Sequence, residues 1–319
     1  MRKIMILSGG TGSAWHIANV VKKFFKNVKL YICDVNPKHL VHSSIMADEY
    51  FQIPFIKDSN YENHMYKLFE DTGIDILMPL IDDDVIIFCK DNEILQKLNI
   101  LSTAPNGNVS DTLTNKKNLN AFLNKIAVDT PRLYSLKDVA KSKETYFVKD
   151  VIGYGSKNSF KETGNKIDID EHEVIIQEMC QSPEITVDVL KHNDKIYTIC
   201  RKRIEIKSGV TVKAKVYYDS EIQNIIEKIS KHVEFPNVFC VQFMKNKFDK
   251  WTLTDFNLRP GAGAAMSSAV GFELIRAALA IWLKEDNEEL ITSLLNYPEK
   301  HKYILRAYEE IVIDENNYL

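Results

Sequence analysis

The stretch "WTLTDFNLRPGAGAAMSSAVGF", residues 251–272, sets a carboxylate, a carboxamide and a guanidinium at every second position, Asp255, Asn257 and Arg259, and follows them with small residues. A strand turns alternate side chains to one face, so these three are expected to converge. Trp251 and Leu253 fall on that same face, and Thr252, Thr254, Phe256 and Leu258 on the other. The preceding strand, "VFCVQFM", returns through a short turn, and pairing Lys247 with Lys250 sets Gln242 opposite Asp255. Oxygen donors of this kind suit Mg²⁺, which takes few protein ligands and completes its shell with water and phosphate oxygens. An arginine beside them can hold charge that develops on a phosphoryl group in transfer. The competing reading is a salt bridge between Asp255 and Arg259 on a solvated sheet face.

A second stretch, "TYFVKDVIGYGSKNSF", ends a strand on Lys149 and runs into a loop with Gly153, Gly155 and Ser156. An ammonium beside a glycine loop suits phosphate, with an exposed lysine before a β-turn as the alternative. The N-terminal "SGGTGSAW" lies between a strand and a helix, and Asp34 ends the next strand, where a ribose-binding acid would sit. Gly10 and Gly12 fit the first two places of G-x-G-x-x-G, but the third is Trp15, which favours a tight turn over a dinucleotide site. The basic segment 201–215 offers Arg201, Arg203 or Lys207 to an anionic substrate, or simply strand charges to water. His16, His64 and His232 lie on helix patterns as surface or packing residues, and no Ser-His-Asp or Cys-His set stands out.

The elements that must position these groups fall into two styles. Over the first hundred residues strands alternate with helices: "KIMILS", "AWHIANVVKKFF", "VKLYICDVNP", "NYENHMYKLFEDTG" closed by Gly73, "IDILMPLI", and one helix over "DDDVIIFCKDNEILQKLN". That alternation predicts a parallel sheet with right-handed crossovers. A polar linker, "STAPNGNVSDTLT", and an amphipathic helix over "NKKNLNAFLNKIAV" follow. Beyond them the pattern is mostly β to about residue 260, with hairpin turns at Asn193-Asp194 and Asn246 to Lys250 and a helix over "SEIQNIIEKISKHVEF". Another helix, "FELIRAALAIWLKED", comes after. With 45% hydrophobic and 27% charged residues and a net charge of -3, the chain is an ordinary globular one with no electrostatic grip on nucleic acid or membranes. Its first apolar run is too short for a signal peptide or a membrane span, so a cytoplasmic location is expected. The five scattered cysteines form no CxxC pair and read as reduced and mostly core.

In order, these stretches resemble the ATP-grasp superfamily over nearly the whole chain, and within it one synthetase half of the carbamoyl phosphate synthase large subunit. The carrying motifs are "IDILMPLIDDDVIIFCKDNEIL", "TNKKNLNAFLNKIAVDTPRLY", "YFVKDVIGYGSKN", "VIIQEMCQSPEITVDVL" and "VQFM" with "LTDFNLRPGAGAAMSSAVGF". The resemblance implies an α/β and α+β fold: a Rossmann-like pre-ATP-grasp domain over 1–103, then a two-lobed ATP-grasp domain with a small lobe over 104–180 and a large lobe over 181–319. It implies that Lys116 and Lys149 contact ATP phosphates, that Gly153, Gly155 and Ser156 close over them, that Glu178, Met179 and Cys180 form the adenine hinge, and that Glu184 takes the ribose hydroxyls. Gln242, Asp255 and Asn257 would hold Mg²⁺ (or Mn²⁺), and Arg259 would meet the γ-phosphate or an acyl phosphate, with Lys149 as its catalytic companion. The implied activity is ATP-dependent joining of a small carboxylate to an amine through an acyl phosphate, releasing ADP and phosphate, in a possible homodimer. A non-catalytic ATP-binding regulatory module is the alternative. Three positions depart from the pattern: Asp150 replaces a proline, Asn158 a third glycine and Asp255 the commoner glutamate.

Overall fold

Apolar residues from Ile4 onward bury β1 (Arg2–Ile6), and Thr11 then caps α1 (Gly12–Phe24) by accepting the Ala14 amide at 3.2 Å. The computed structural model describes residues 1–153, 158–170, 172–207, 209–307 and 309–313. There follow β2 (Val28–Asp34), β3 (Glu49–Gln52), α2 (Tyr61–Thr72), β4 (Ile76–Met78), α3 (Asp82–Ile87), α4 (Glu93–Lys97) and β5 (Leu101–Ser102). The strands form a parallel sheet in the order β3-β2-β1-β4-β5, as the alternating pattern predicts. Gly73 closes α2 in the left-handed conformation at φ 57°, which glycine adopts without steric cost. The strand order reverses between the parallel strands β1 and β4, so the carboxyl ends of those two strands flank a crevice.

Two expectations change here. The single helix over 82–99 is two, because Asn92 accepts the Ile94 and Leu95 amides and starts α4 anew. The polar linker contains α5 (Gly107–Thr114): Val109 and Leu113 bury in the core while Thr112 and Thr114 return their hydroxyls to the carbonyls of Asn108 and Ser110.

Next come α6 (Lys116–Lys125), capped by Asn115, then β6 (Leu133–Tyr134), α7 (Leu136–Val139), β7 (Thr145–Asp150), β8 (Phe160–Thr163) and β9 (Val174–Gln177). These strands make an antiparallel sheet, β6-β9-β7-β8. A larger antiparallel sheet, β14-β13-β10-β11-β12-β15, is built from β10 (Gln181–His192), β11 (Lys195–Lys207), β12 (Val210–Tyr217), β13 (Val238–Lys245), β14 (Trp251–Asn257) and β15 (Lys302–Leu305). Helix α8 (Ser220–Ser230) and the helices α9 (Ala264–Ser268), α10 (Leu274–Leu283) and α11 (Glu288–Leu294) complete the chain.

Gln242 does oppose Asp255, and Cys240 opposes Asn257, but the β13–β14 ladder slips by one residue at Gln242/Phe243. Below the slip Phe243 faces Leu253 and Lys245 faces Trp251. The bulge at Thr254 therefore breaks the simple alternation. Trp251 and Leu253 join Phe256 and Leu258 in one buried cluster, on the side away from Asp255, rather than sharing its face.

Candidate functional site

Between the two antiparallel sheets lies a cavity of about 170 Å³. Lys116 enters from the first turn of α6, Lys149 from β7, and Gln242, Thr254 and Asp255 from the β13–β14 ladder. Lys149 is 8% exposed, and its Nζ donates to the Thr254 carbonyl at 2.8 Å, a group the bulge turns out of the regular ladder. Burial pulls the Lys149 ammonium below its usual pKa, an effect that the Asp255 carboxylate opposes. Lys116, 7% exposed, donates to the Gly153 carbonyl at 3.2 Å and stands 3.9 Å from Asp255 Oδ1. Two lysines held this far from solvent beside a single carboxylate leave a surplus of positive charge, which a polyanion would neutralise.

The loop expected to cover the phosphates begins and ends here. Gly153 has φ 155°, and Asn158 Nδ2 donates to Asp150 Oδ2 at 2.9 Å, so the two residues that depart from the family pattern tie the ends of the loop together. Gly155 and Ser156 lie outside the described residues. Met179, Cys180 and Glu184 line the cavity. Arg203 holds the Glu184 carboxylate, and is itself fixed through Thr211 Oγ1 and the Gly209 carbonyl, each at 3.0 Å. Burial pushes the Cys180 thiol up to about 11, as expected of hinge packing and not of a reactive nucleophile.

Glu178 does not line the cavity, because its amide and carboxylate are both engaged with the Arg132 backbone at 3.0 Å. The residue facing inward is its neighbour Gln177, 5% exposed and absent from the sequence-based set. Gln177 is the last residue of β9, and its inward face is set by the pairing of β9 with β6 and β7.

Asn257 and Arg259 lie beside this cavity rather than on its wall. Arg259 Nε donates to Asp82 Oδ1 at 2.8 Å, and Nη2 approaches Asn257 Oδ1 at 3.4 Å. Asp82, the first residue of α3, stands outside the set of residues read from the sequence. Of the basic segment, Arg201 is not available to substrate: it is 1% exposed and doubly bonded to Asp188 at 2.7 Å. A Cβ at Gly263 would come within 1.8 Å of Arg201 Nη1, so this glycine in "GAGAAMSS" makes room for a buried guanidinium. Arg203 is committed to Glu184, and Lys207 pairs with Glu205 at 3.5 Å on the surface. Asp34, 6% exposed, accepts from the Gly10 amide at 2.7 Å and from Asn36, which makes "SGGTGS" a self-satisfied turn.

The sequence of residues 170–298 matches the family described as ATP-grasp in the biosynthetic pathway with Ter operon, and residues 4–102 match the PylC-like N-terminal domain. The chain has the ATP-grasp fold, and its residues 170–298 match an ATP-grasp family. No curated protein sequence matches it. Among solved structures, this ATP-grasp fold is similar to N5-carboxyaminoimidazole synthetase from Staphylococcus aureus complexed with ADP (15% identity, 94% of this chain and 79% of that one, TM-score 0.68). It is also similar to L-amino acid ligase from Bacillus licheniformis (13%, 95% and 79%, TM-score 0.71) and to biotin carboxylase from Campylobacter jejuni (12%, 95% and 75%, TM-score 0.72). At these identities the likeness is one of fold: a Rossmann-like unit followed by the two ATP-grasp sheets.

Among the described residues no group of three or more His, Cys, Asp or Glu could hold a metal ion. One carboxylate and one carboxamide, Asp255 and Gln242, converge in the cavity, with the Asn257 amide two residues along. That sparse oxygen set fits a hard cation that keeps most of its shell as water and phosphate oxygens. Among the described residues no helix is long and apolar enough to cross a membrane.

Proposed function

We propose that the chain is an ATP-dependent carboxylate–amine ligase that works through an acyl phosphate. The observation that carries this reading is the convergence of Lys116, Lys149, Gln242 and Asp255 from separate elements on one cavity between the ATP-grasp sheets. In the reaction a substrate carboxylate oxygen attacks the γ-phosphorus of ATP, and the bond to the ADP oxygen breaks. An amine then attacks the acyl carbon, loses a proton and expels phosphate, leaving an amide. Little nucleophilicity is asked of the protein, whose task is to align the reactants, balance charge and exclude water.

Each residue has a defined part in this scheme. Lys116 and Lys149 hold phosphate oxygens, and Gly153, Gly155 and Ser156 cover them. Met179 and Cys180 bound the base, with the backbone of Glu178 between them and Gln177, and Glu184 receives the ribose. Gln242, Asp255 and Asn257 hold Mg²⁺, which when bound neutralises charge on the phosphoryl group. Arg259 then stabilises the acyl phosphate.

An ADP-release screen of carboxylates paired with amines tests the reading. The expected outcome is release that depends on both partners and falls at least about a hundredfold in Asp255→Ala, since a ligand carboxylate is lost. Tight ATP binding with no release for any pair would favour the regulatory module, and a wild-type rate in Asp255→Ala would sink the site assignment.

A further inference from the structure

The acid that fixes Arg259 comes from the other end of the chain. Asp82 follows β4 directly, beside the crevice where the first sheet reverses its strand order, the place where open α/β sheets take ligands. It is 5% exposed, and the hydrogen bond from Arg259 Nε to its Oδ1 spans 177 positions of sequence. Next to it Asp84, 2% exposed, accepts from Tyr61 at 2.6 Å and from Ser8 at 3.3 Å, which anchors the first turn of α3 to the start of α2 and to the turn after β1. Ser13, just after the β1 turn, donates to the Pro260 carbonyl at 3.4 Å, so the segment carrying Arg259 is also held from the first unit. Asp255 lies four residues before Arg259 and is the other acid within its electrostatic reach.

We propose that Asp82 is a positioning residue. Its carboxylate holds the Arg259 guanidinium beside the cavity and keeps it from pairing with Asp255, which is left to Lys116 and a bound cation. The assignment rests on the ligase reading for what Arg259 does, but the Asp82–Arg259 bond does not. It makes the PylC-like unit part of the active site: its crevice and the phosphate end of the ATP-grasp cavity share one guanidinium.

The test measures two affinities by calorimetry, that of MgADP for the protein and that of inorganic phosphate for the protein–MgADP complex. Asp82→Asn is expected to weaken phosphate about tenfold or more, the usual worth of a charge-assisted hydrogen bond, while MgADP binds as in the wild type and so reports an intact fold. Asp82→Glu, which keeps the charge, should recover part of the loss. The double variant with Arg259→Ala should be no worse than Arg259→Ala alone, since Asp82 acts through that arginine. Unchanged phosphate affinity in Asp82→Asn, a loss additive to that of Arg259→Ala, or a parallel loss of MgADP binding would each overturn the proposal. A wild-type protein that shows this dependence yet releases no ADP with any acid and amine would sink the ligase reading and leave the positioning role standing. Failure of the wild type to bind MgADP would overturn both.

Discussion

At the scale of single residues, charge in the cavity is arranged by burial. Lys149 is buried, and its Nζ donates to a backbone carbonyl rather than to a carboxylate, so its ammonium is left for an anion. Lys149→Met keeps the stem and removes the charge, and should weaken ADP by about tenfold to a hundredfold in a calorimetric titration. An unchanged affinity would take Lys149 out of phosphate binding. Of the residues that line the cavity, Lys149, Gly153, Gln242 and Asp255 were legible from type and spacing, and Lys116, Met179, Cys180 and Glu184 only through the family resemblance. Gln177 was not, because a glutamine beside a glutamate gives no sign of which one faces inward until the strand is paired. Arg201 misled for a related reason: its partner Asp188 sits on the adjacent strand, opposite Ile199, and sequence separation hides that.

At the scale of elements, the bulge in β14 decides the shape of the site. The turn from Asn246 to Lys250 sets a register one residue away from the one that would bring Gln242 against Asp255, and the extra residue at Thr254 restores it. Without that residue Leu253, Asp255, Phe256 and Asn257 would alternate as a plain strand, but no carbonyl would turn toward Lys149. Deletion of Thr254 should therefore leave the far-UV circular dichroism of the fold unchanged and weaken ADP by about tenfold, the worth of releasing Lys149 from its acceptor. Full ADP affinity in the deletion variant would show that the bulge is incidental. Helix α5 and strand β3 escaped the sequence reading because both are short and are held by their neighbours, α5 by packing on α6, α3 and β14 and β3 by pairing with β2.

At the scale of the molecule, the first unit and the last helices are locked together. Helix α1 packs on α9 and α10, and His16 in α1 faces the Ser268 hydroxyl at 3.1 Å. Burial lowers the His16 pKa to about 4, with Asp188 opposing the shift and Arg306 adding to it. The folded state thus binds fewer protons than the unfolded chain between about 4 and 6.5, and stability must fall as pH drops through that window. In urea titrations at pH 7 and pH 5, His16→Gln should lose less stability on acidification than the wild type, and an identical loss would show that His16 does not contribute. The Arg201–Asp188 pair lies beneath the same junction, where Ser267 donates to Asp188 at 2.5 Å. Removing one member of such a pair leaves a buried charge and costs about 3 kcal/mol or more, so it is a fixed part of the junction and not a site for substrate.

The sequence by itself determined the parallel first sheet, the antiparallel remainder, and the lysine, glutamine and aspartate that meet in the cavity, because periodicity and residue chemistry are local properties. Only the tertiary structure decided which face each strand presents past a bulge, which arginine is buried in an ion pair, and that Asp82 reaches Arg259. Those outcomes depend on pairing and burial between segments far apart in the chain, where a carboxylate's role is set by the group it meets and not by its neighbours in sequence.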